Sequence, residues 1–502
     1  MNLSVSLAEN EKKIDELFQD CQDILKRELY LGVEDGRRAL IYYVEVTVTN
    51  MILQDSTIGR MIGHLWDVPQ EEQLDYLRKN AVAASDVKLL KTFDEVTMGV
   101  LVGDAVLLVE GLDRGIKIKS AGYPRMNVEP SQNEMVMRGS KEGFTDSIKG
   151  NTALVRKRIR NTDLKVQEMI VGEKTQTTTA LVYMGSLVRP QVLNEIKKRM
   201  QQLSTDGILD SGIIEQMTEF VPASPFPQYQ TTERPDRAAQ AVLEGRILLL
   251  SDNSPVGLLL PTNFAAFFRT ADDYYNRTEV VALERILRFL AAFVAIGLPG
   301  LYLAVISFHQ EILPTSFLLA LAEGRAGVPV PAVVEVLMME LAFELLREAG
   351  VRVPGSMGNA IGVVGGLIIG EAAVSAGLVS PIIVIVVALT ALASFAIPND
   401  EMASAFRVLK YVLIGLAAVF GLFGWFLGIA GVIIHLAKLT SFQFPYLYPI
   451  VCGELNEDAD KKDLWIRYPL GRLKRRSIYT KIGARSKIAS QNGTQTDRKE
   501  KK

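Results

Sequence analysis

The chain has 502 residues, 48% of them hydrophobic, and a formal net charge of −2. That length leaves room for two or three domains, and the balanced charge gives no global attraction to nucleic acid. With only two cysteines, Cys21 and Cys452, a disulfide scaffold and a zinc ribbon are excluded, and a reducing compartment fits.

The N-terminus, MNLSVSLAENEKKIDELF, lacks the basic head and apolar core of a cleavable signal peptide, so residues 1–280 are expected to stay in the cytoplasm. Ile14, Leu17, Phe18, Cys21, Ile24 and Leu25 follow the i, i+3, i+4, i+7 rhythm of an amphipathic helix that Gly32 ends, with Ser6 and Glu9 as its capping box. ALIYYVEVTVT then reads as a strand and the residues from Gln70 to Lys79 as a helix. MGVLVGDAVLLVEG supplies two apolar runs joined at Gly103-Asp104, and GIKIKSAG a further strand. This predicts a first α/β subdomain over 1–124.

After the polar linker YPRMNVEPSQNE, KGNTALVRKRIRN reads as a basic helix, and LKVQEMIVG with TTTALVYMG as a hairpin. Helices are expected from Gln191 to Leu203 and Asp210 to Phe220, and Glu233-Arg234-Pro235-Asp236 reads as the start of another, with Pro in its first turn. GRILLLSDNSPVGLLLPT closes a second α/β subdomain, 135–280, with a rhythm like that of GDAVLLVEGLDRGIKIK. The two are expected to be related halves.

A helical membrane domain is predicted over 285–440. Phe289 to Phe308 gives 20 uncharged residues with Pro299 inside, 356–380 has Glu371 as its single charge, 381–398 has no charge, and 411–434 is a last apolar run. Each is long enough to cross a bilayer. The stretch 328–349 reads as an amphipathic or re-entrant helix. Arg269, Arg277, Arg285 and Arg288 precede the first span, and the tail 441–502 is basic, so both ends are expected inside with four crossings. Arg407 and Lys410 contradict that count, because they would begin the fourth span on the outer face. The end, QNGTQTDRKEKK, reads as disordered.

Enzyme signatures are missing: there is no GxxxxGK[ST], GxSxG or HExxH, and His64, His309 and His435 lie far apart in sequence. No catalytic residue, cofactor or metal is assigned. GVVGGLIIG lies within a membrane run, where glycines serve close helix packing rather than a dinucleotide. At about 100° per residue, Gly358, Gly362 and Gly365 share one face of that helix. Val364, Leu367, Glu371 and Ser375 share roughly the opposite face, a candidate ion path in an oligomer. A structural Glu371, hydrogen-bonded at an interface, is the plainer account. Glu335, Glu340 and Glu344 are candidates for a cation-attracting vestibule, against a solvated acidic helix face at the membrane surface. Arg156, Lys157, Arg158 and Arg160 read as a solvated or subunit-contacting face, with a phosphate or anionic-lipid site as the alternative. From the residues alone, an oligomeric ion-conducting subunit and a secondary transporter both remain.

The runs VPVPAVVEVLMMELAFELLREAGVRVP and GVVGGLIIGEAAVSAGLVSPIIVIVVALTALASFAIP closely resemble the A subunit of the GerA family of bacterial spore germination receptors. The likeness extends to MRGSKEGFTDSIKGNTALVRKRIRN, TERPDRAAQAVLEGRILLLSDNSP and LTSFQFPYLYPI, covering about Arg138 to Ile450. Glu371 stands where a neutral Gln is expected, and FQFPYLYP departs from the usual Phe-Gly-Val-Pro-Tyr-Leu. The resemblance implies a multi-pass protein of the inner spore membrane that acts with a transporter-like B subunit and a lipoprotein C subunit. It further implies a homo-oligomer that forms a nutrient-gated path for monovalent cations, with membrane lipids around it. An accessory channel subunit acting with the dipicolinic acid release system shares the same motifs.

Overall fold

The computed structural model describes residues 1–31, 36–47, 72, 87–119, 130–131, 133–352, 366, 368–457 and 459–487. The helix expected at 70–79 and the polar end of the chain lie outside them, residue 72 excepted.

The N-terminal half contains two five-stranded antiparallel sheets. The first is built from β1 (Ile24–Leu31), β2 (Arg37–Val44), β3 (Val87–Leu90), β4 (Ala105–Val109) and β5 (Gly115–Ile118), ordered β1-β2-β4-β5-β3. The second is built from β6 (Leu164–Val171), β7 (Thr177–Met184), β8 (Gln230–Thr232), β9 (Ile247–Ser251) and β10 (Gly257–Leu260), ordered β6-β7-β9-β10-β8. Adding five to each label of the first order gives the second, so one strand plan occurs twice. The helices repeat as well. α1 (Leu7–Leu17) and α3 (Ile148–Arg158) each precede the first strand of a sheet, while α2 (Phe93–Val102) and α6 (Pro235–Leu243) each precede the fourth. In the second sheet, α4 (Pro190–Gln201) and α5 (Ser211–Thr218) are inserted between β7 and β8.

Two expectations change here. The first helix stops at Leu17, and Ile24 and Leu25 open β1 instead. Ser6 is its N-cap but makes no side-chain capping bond; the Asn10 side chain instead binds Ser4 N and O. MGVLVGDAVLLVEG is half helix and half strand. A capping box between Thr92 and Glu95 starts α2, and Gly103, at φ 100°, ends it so that β4 can begin.

The second sheet is covered on both faces, which is why β9 is buried along its whole length. Leu248 and Leu250 meet Leu154, Val155, Ala238 and Val242 of α3 and α6. Ile247 and Leu249 meet Val192, Ile196 and Ile214 of α4 and α5, together with Phe442, Phe444, Tyr448, Ile478 and Tyr479. The segment expected as a basic tail therefore completes the second core. Its aromatic residues are the reason, since together they bury far more apolar surface than the surrounding basic residues cost.

The helical region comprises α7 (Thr278–Phe308), α8 (Thr315–Arg325), α9 (Ala332–Arg352), a helical stretch over 368–375, α10 (Pro381–Phe395) and α11 (Asp400–Lys438). Among the described residues two helices, α7 and α11, are long and apolar enough to cross a membrane, and α10 is a shorter apolar helix. α11 is broken at Gly421, whose φ is 60° and ψ −141°. The chain reverses there. Phe226 touches both Phe406 and His435, at ring-centroid distances of 6.1 and 5.9 Å, whereas a straight helix would hold those two about 44 Å apart. A Cβ at Gly428 would strike Leu413, and one at Gly424 would strike Leu416 O. The apolar run 411–434, expected as one span, is thus a helical hairpin. Span counting by length misses the reversal because one uncharged glycine among Phe and Leu leaves the run apolar; its permissive backbone is what allows the turn.

The hairpin packs against α7. Trp425 Nε1 donates to Gly297 O at 2.9 Å, and a Cβ on Gly300 would stand 3.1 Å from the Trp425 ring and 3.3 Å from the Leu413 carbonyl. Phe308, at the end of α7, lies beside the Gly421 turn. Its other end joins the tail and the second sheet: Phe289 stacks on Phe268 at 4.3 Å and lies 4.2 Å from Trp465. Outward-facing Val408, Val412, Val419, Phe423, Phe426 and Leu427 leave an exposed apolar flank on the hairpin, of the kind that marks lipid or a partner.

Candidate functional site

Polar groups at depth in an apolar bundle are costly unless they are paired, and α9 carries three such carboxylates. Glu335, 1% exposed, accepts from Arg325 Nη2 at 2.9 Å and from Ser380 N at 3.1 Å. It therefore ties α8 to the N-terminal end of α10. One helical turn and a half further on, Glu340 accepts from Lys410 Nζ at 2.5 Å, both side chains nearly sealed from solvent. Glu344, half-buried, accepts from Arg407 Nη1 at 2.6 Å. Lys410 and Arg407 lie on one face of the first half of α11, spaced so that they match Glu340 and Glu344 on α9.

This arrangement answers the difficulty that Arg407 and Lys410 raised. Asn399 caps α11 by accepting from Met402 N at 2.9 Å, and Asn399, Asp400 and Glu401 border a crevice shared with Thr231, Thr232 and Glu233 of the second sheet. The α11 cations thus begin the outbound arm on the side of the sheets and are neutralised by α9. A solvated acidic face on α9 does not form. The sequence reading missed these partners, although the signal was present: Glu340 and Glu344, one helical turn apart in an apolar run, call for cations about one turn apart elsewhere, and Arg407 and Lys410 are three residues apart.

Glu371 and Ser375 are exposed. Gly370, Ala373 and Val374 face inward, with the site of a Gly370 Cβ 3.4 Å from Val384 of α10. Val364, Leu367, Gly358, Gly362 and Gly365 lie outside the described residues. The structure therefore brings Glu335, Glu340 and Glu344 into one ion-paired layer of α8–α11 and leaves Glu371 on an outer surface.

Where the sheets meet the helices, a second charged cluster forms. Arg285 of α7 is bonded to Asp273 and to Asp463 of the tail, each at 2.7 Å. Arg288 also binds Asp273, at 2.8 Å. Burial opposes ionisation of Asp273, but Arg285 and Arg288 outweigh it and hold its carboxyl below the ordinary value. Asp463 is held low in the same way against its burial, chiefly by Arg269 and Arg285. Of the arginines expected to mark the inner face, Arg285 is thus a buried link from α7 to the Ala271–Tyr274 turn and the tail, and Arg288, partly buried, a second link to that turn.

The basic run on α3 is likewise absorbed. Arg156, wholly buried, makes a two-point bond to Asp23 at 2.7 Å for each contact and fixes the first sheet to the second. Lys157 and Arg158 both reach Glu142 at 2.6 Å. Arg160, just past the end of α3, stays exposed, with its Nε donating to Lys157 O at 3.2 Å. Among the described residues no group of three or more His, Cys, Asp or Glu could hold a metal.

The profile described as Bacillus/Clostridium GerA spore germination protein matches residues 12–479. The membrane protein YfkQ of Bacillus subtilis (strain 168) is 39% identical over 94% of this chain and 91% of its own length. Spore germination protein KA of the same organism is 37% identical over 89% of this chain and 82% of its own. A crystal structure of the N-terminal domain of the A subunit of the Bacillus megaterium spore germinant receptor GerK3 is 30% identical, aligning with 53% of this chain and 98% of that one at a TM-score of 0.42.

Proposed function

The chain belongs to the GerA family of spore germination proteins, and from that premise we propose that it is the A subunit of a germinant receptor which assembles into a gated path for monovalent cations. In this reading it is a multi-pass protein of the inner spore membrane, with the two sheets and the tail in the cytoplasm, and it works without enzymatic chemistry. Transporter-like B and lipoprotein C subunits are its partners. The tail and the second sheet share one core, so both ends of the helical region face one side and the number of traverses is even. The α11 hairpin contributes two of these, which replaces the single last crossing expected from length.

The observation that carries the path is Glu371. Glu335, Glu340 and Glu344 of the α9 layer each have a cation, whereas Glu371, outside that layer, is exposed beside Ile368 and Ile369, which are exposed too. A carboxylate on such a surface is costly against lipid and acceptable against water or a cation. Repeated around an oligomer it forms an acidic collar, with Ser375 one turn on, and Val364 and Leu367 as the hydrophobic constriction. Gly358, Gly362 and Gly365 serve helix contact on the opposite face.

The test is potassium flux from liposomes containing the purified chain. Glu371→Gln is expected to assemble normally and to conduct cations more slowly or less selectively, and Val364→Ala to leak without stimulus. Parent-like flux from both variants, correctly assembled, would remove this face from the path.

A further inference from the structure

Between α6, the β8–β10 edge and the tail lies a cavity of about 160 Å³, room for on the order of ten waters. Gln230, Arg237, Arg246, Arg269, Arg475 and Tyr479 are among its walls. Its carboxylates are already satisfied. Glu244 is paired with Lys487 at 2.6 Å, and Asp463 with Arg269 and Arg285. Asp460 accepts from Tyr448 Oη, Asn456 Nδ2 and Ile478 N.

Arg246 is different. It is 8% exposed, and among the described residues it has no carboxylate partner. Its Nη1 donates to Gln230 Oε1 at 2.6 Å and its Nη2 to Leu259 O at 3.1 Å, both neutral acceptors. Its Nε has no acceptor. Burial, with Arg237 and Arg269 nearby, lowers its pKa to about 10. The Nε of Arg269 on the adjoining wall also has no acceptor. A buried guanidinium without a counter-charge is expensive, and an anion in the cavity would supply what the fold does not.

We propose that this cavity binds a tetrahedral phosphate group, held by Arg246 with Arg269 and Arg475 beside it. Guanidinium forks suit phosphate oxygens, to which they donate in pairs. Free phosphate and the headgroup of an anionic lipid share this chemistry, and α7 adjoins the cavity through Arg285, which is bonded to the lining residue Asp463. Because tail residues, Arg475, Tyr479 and Lys487 among them, line the site, occupancy would fasten the tail to the second sheet.

The experiment uses the full chain in detergent, with its thermal midpoint followed against inorganic phosphate and against potassium chloride of equal ionic strength. A parallel arm compares nanodiscs of phosphatidylcholine with nanodiscs containing phosphatidylglycerol. Phosphate, or phosphatidylglycerol if the lipid is the source, is expected to raise the parent's midpoint. Arg246→Gln should bind roughly tenfold or more weakly, with Arg246→Lys in between. Should Arg246→Gln fail to fold, Arg475→Gln, on the more open wall, carries the comparison and should also weaken the response. No phosphate- or phosphatidylglycerol-specific shift in the parent overturns the proposal, as does a folded Arg246→Gln or Arg475→Gln that responds like the parent.

Discussion

Lys410 Nζ and Glu340 Oε2 meet at 2.5 Å between α11 and α9, with 5% and 1% of their side chains exposed. A pair this sealed costs desolvation on both sides, so its value lies in fixing which helix faces which, not in net stability. Lys410→Met alone strands Glu340 and should cost about 3–5 kcal/mol. Lys410→Met with Glu340→Leu should recover most of that. The measurement is the thermal midpoint of the purified chain in detergent. If Lys410→Met cost less than about 1 kcal/mol, the value of a solvated pair, the layer would be open to water.

Glu215 of α5 is 8% exposed, and burial first, then the charges of Glu401, Glu219 and Asp210, raise its pKa to about 9. A carboxyl whose folded pKa lies above its unfolded one leaves stability intact below the unfolded value, 4.5, and drains it as pH rises toward the folded one. Glu215→Gln should therefore be more stable than the parent at about pH 8 and equal to it at about pH 4. Denaturant midpoints at the two pH values decide this. A constant difference between parent and variant would mean that Glu215 does not change its protonation on folding.

Part of the strand plan was legible in the sequence because alternation and turn residues are local signals, and the shared rhythm of GRILLLSDNSPVGLLLPT and GDAVLLVEGLDRGIKIK corresponds to β9–β10 and β4–β5; β1, whose first residues also fit a helical rhythm, and the short β3 and β8 were not read. What the sequence hid was long-range. Arg156 reads as one of four surface cations until Asp23, 133 residues away, is placed against it. Phe442, Tyr448 and Tyr479 read as a tail until the open face of the second sheet is seen to need them. The cations of α11 looked misplaced because a hairpin at a glycine leaves the hydropathy pattern of a span unchanged.

Asp463 joins the tail to α7 through Arg285 and to the Ala271–Tyr274 turn through Tyr274, whose hydroxyl donates at 2.9 Å. Asp463→Asn removes the charge that both Arg269 and Arg285 face. The segment around Lys461 and Lys462 should then be cut by trypsin several-fold faster, as local opening becomes cheaper, while the sheets resist. Unchanged cleavage would show that the aromatic core alone holds the tail.

The reversal at Gly421 makes a geometric prediction that needs no functional assay. Val408 and Ile434, both more than half exposed, lie 13 residues before and after the turn. A straight helix would separate them by about 39 Å, whereas packed antiparallel arms have axes about 8–10 Å apart. Spin labels on Val408→Cys and Ile434→Cys, in a chain whose exposed Cys452 is replaced by Ser, should give a short distance by double electron–electron resonance. Gly421→Leu should lose it. The leucine meets two obstacles there: a positive φ of 60° with ψ at −141°, which costs about 1–3 kcal/mol without glycine, and a Cβ 3.0 Å from both His309 and Phe308. A distance near the straight-helix value in the parent would restore the single span and put Arg407 and Lys410 back on the wrong face.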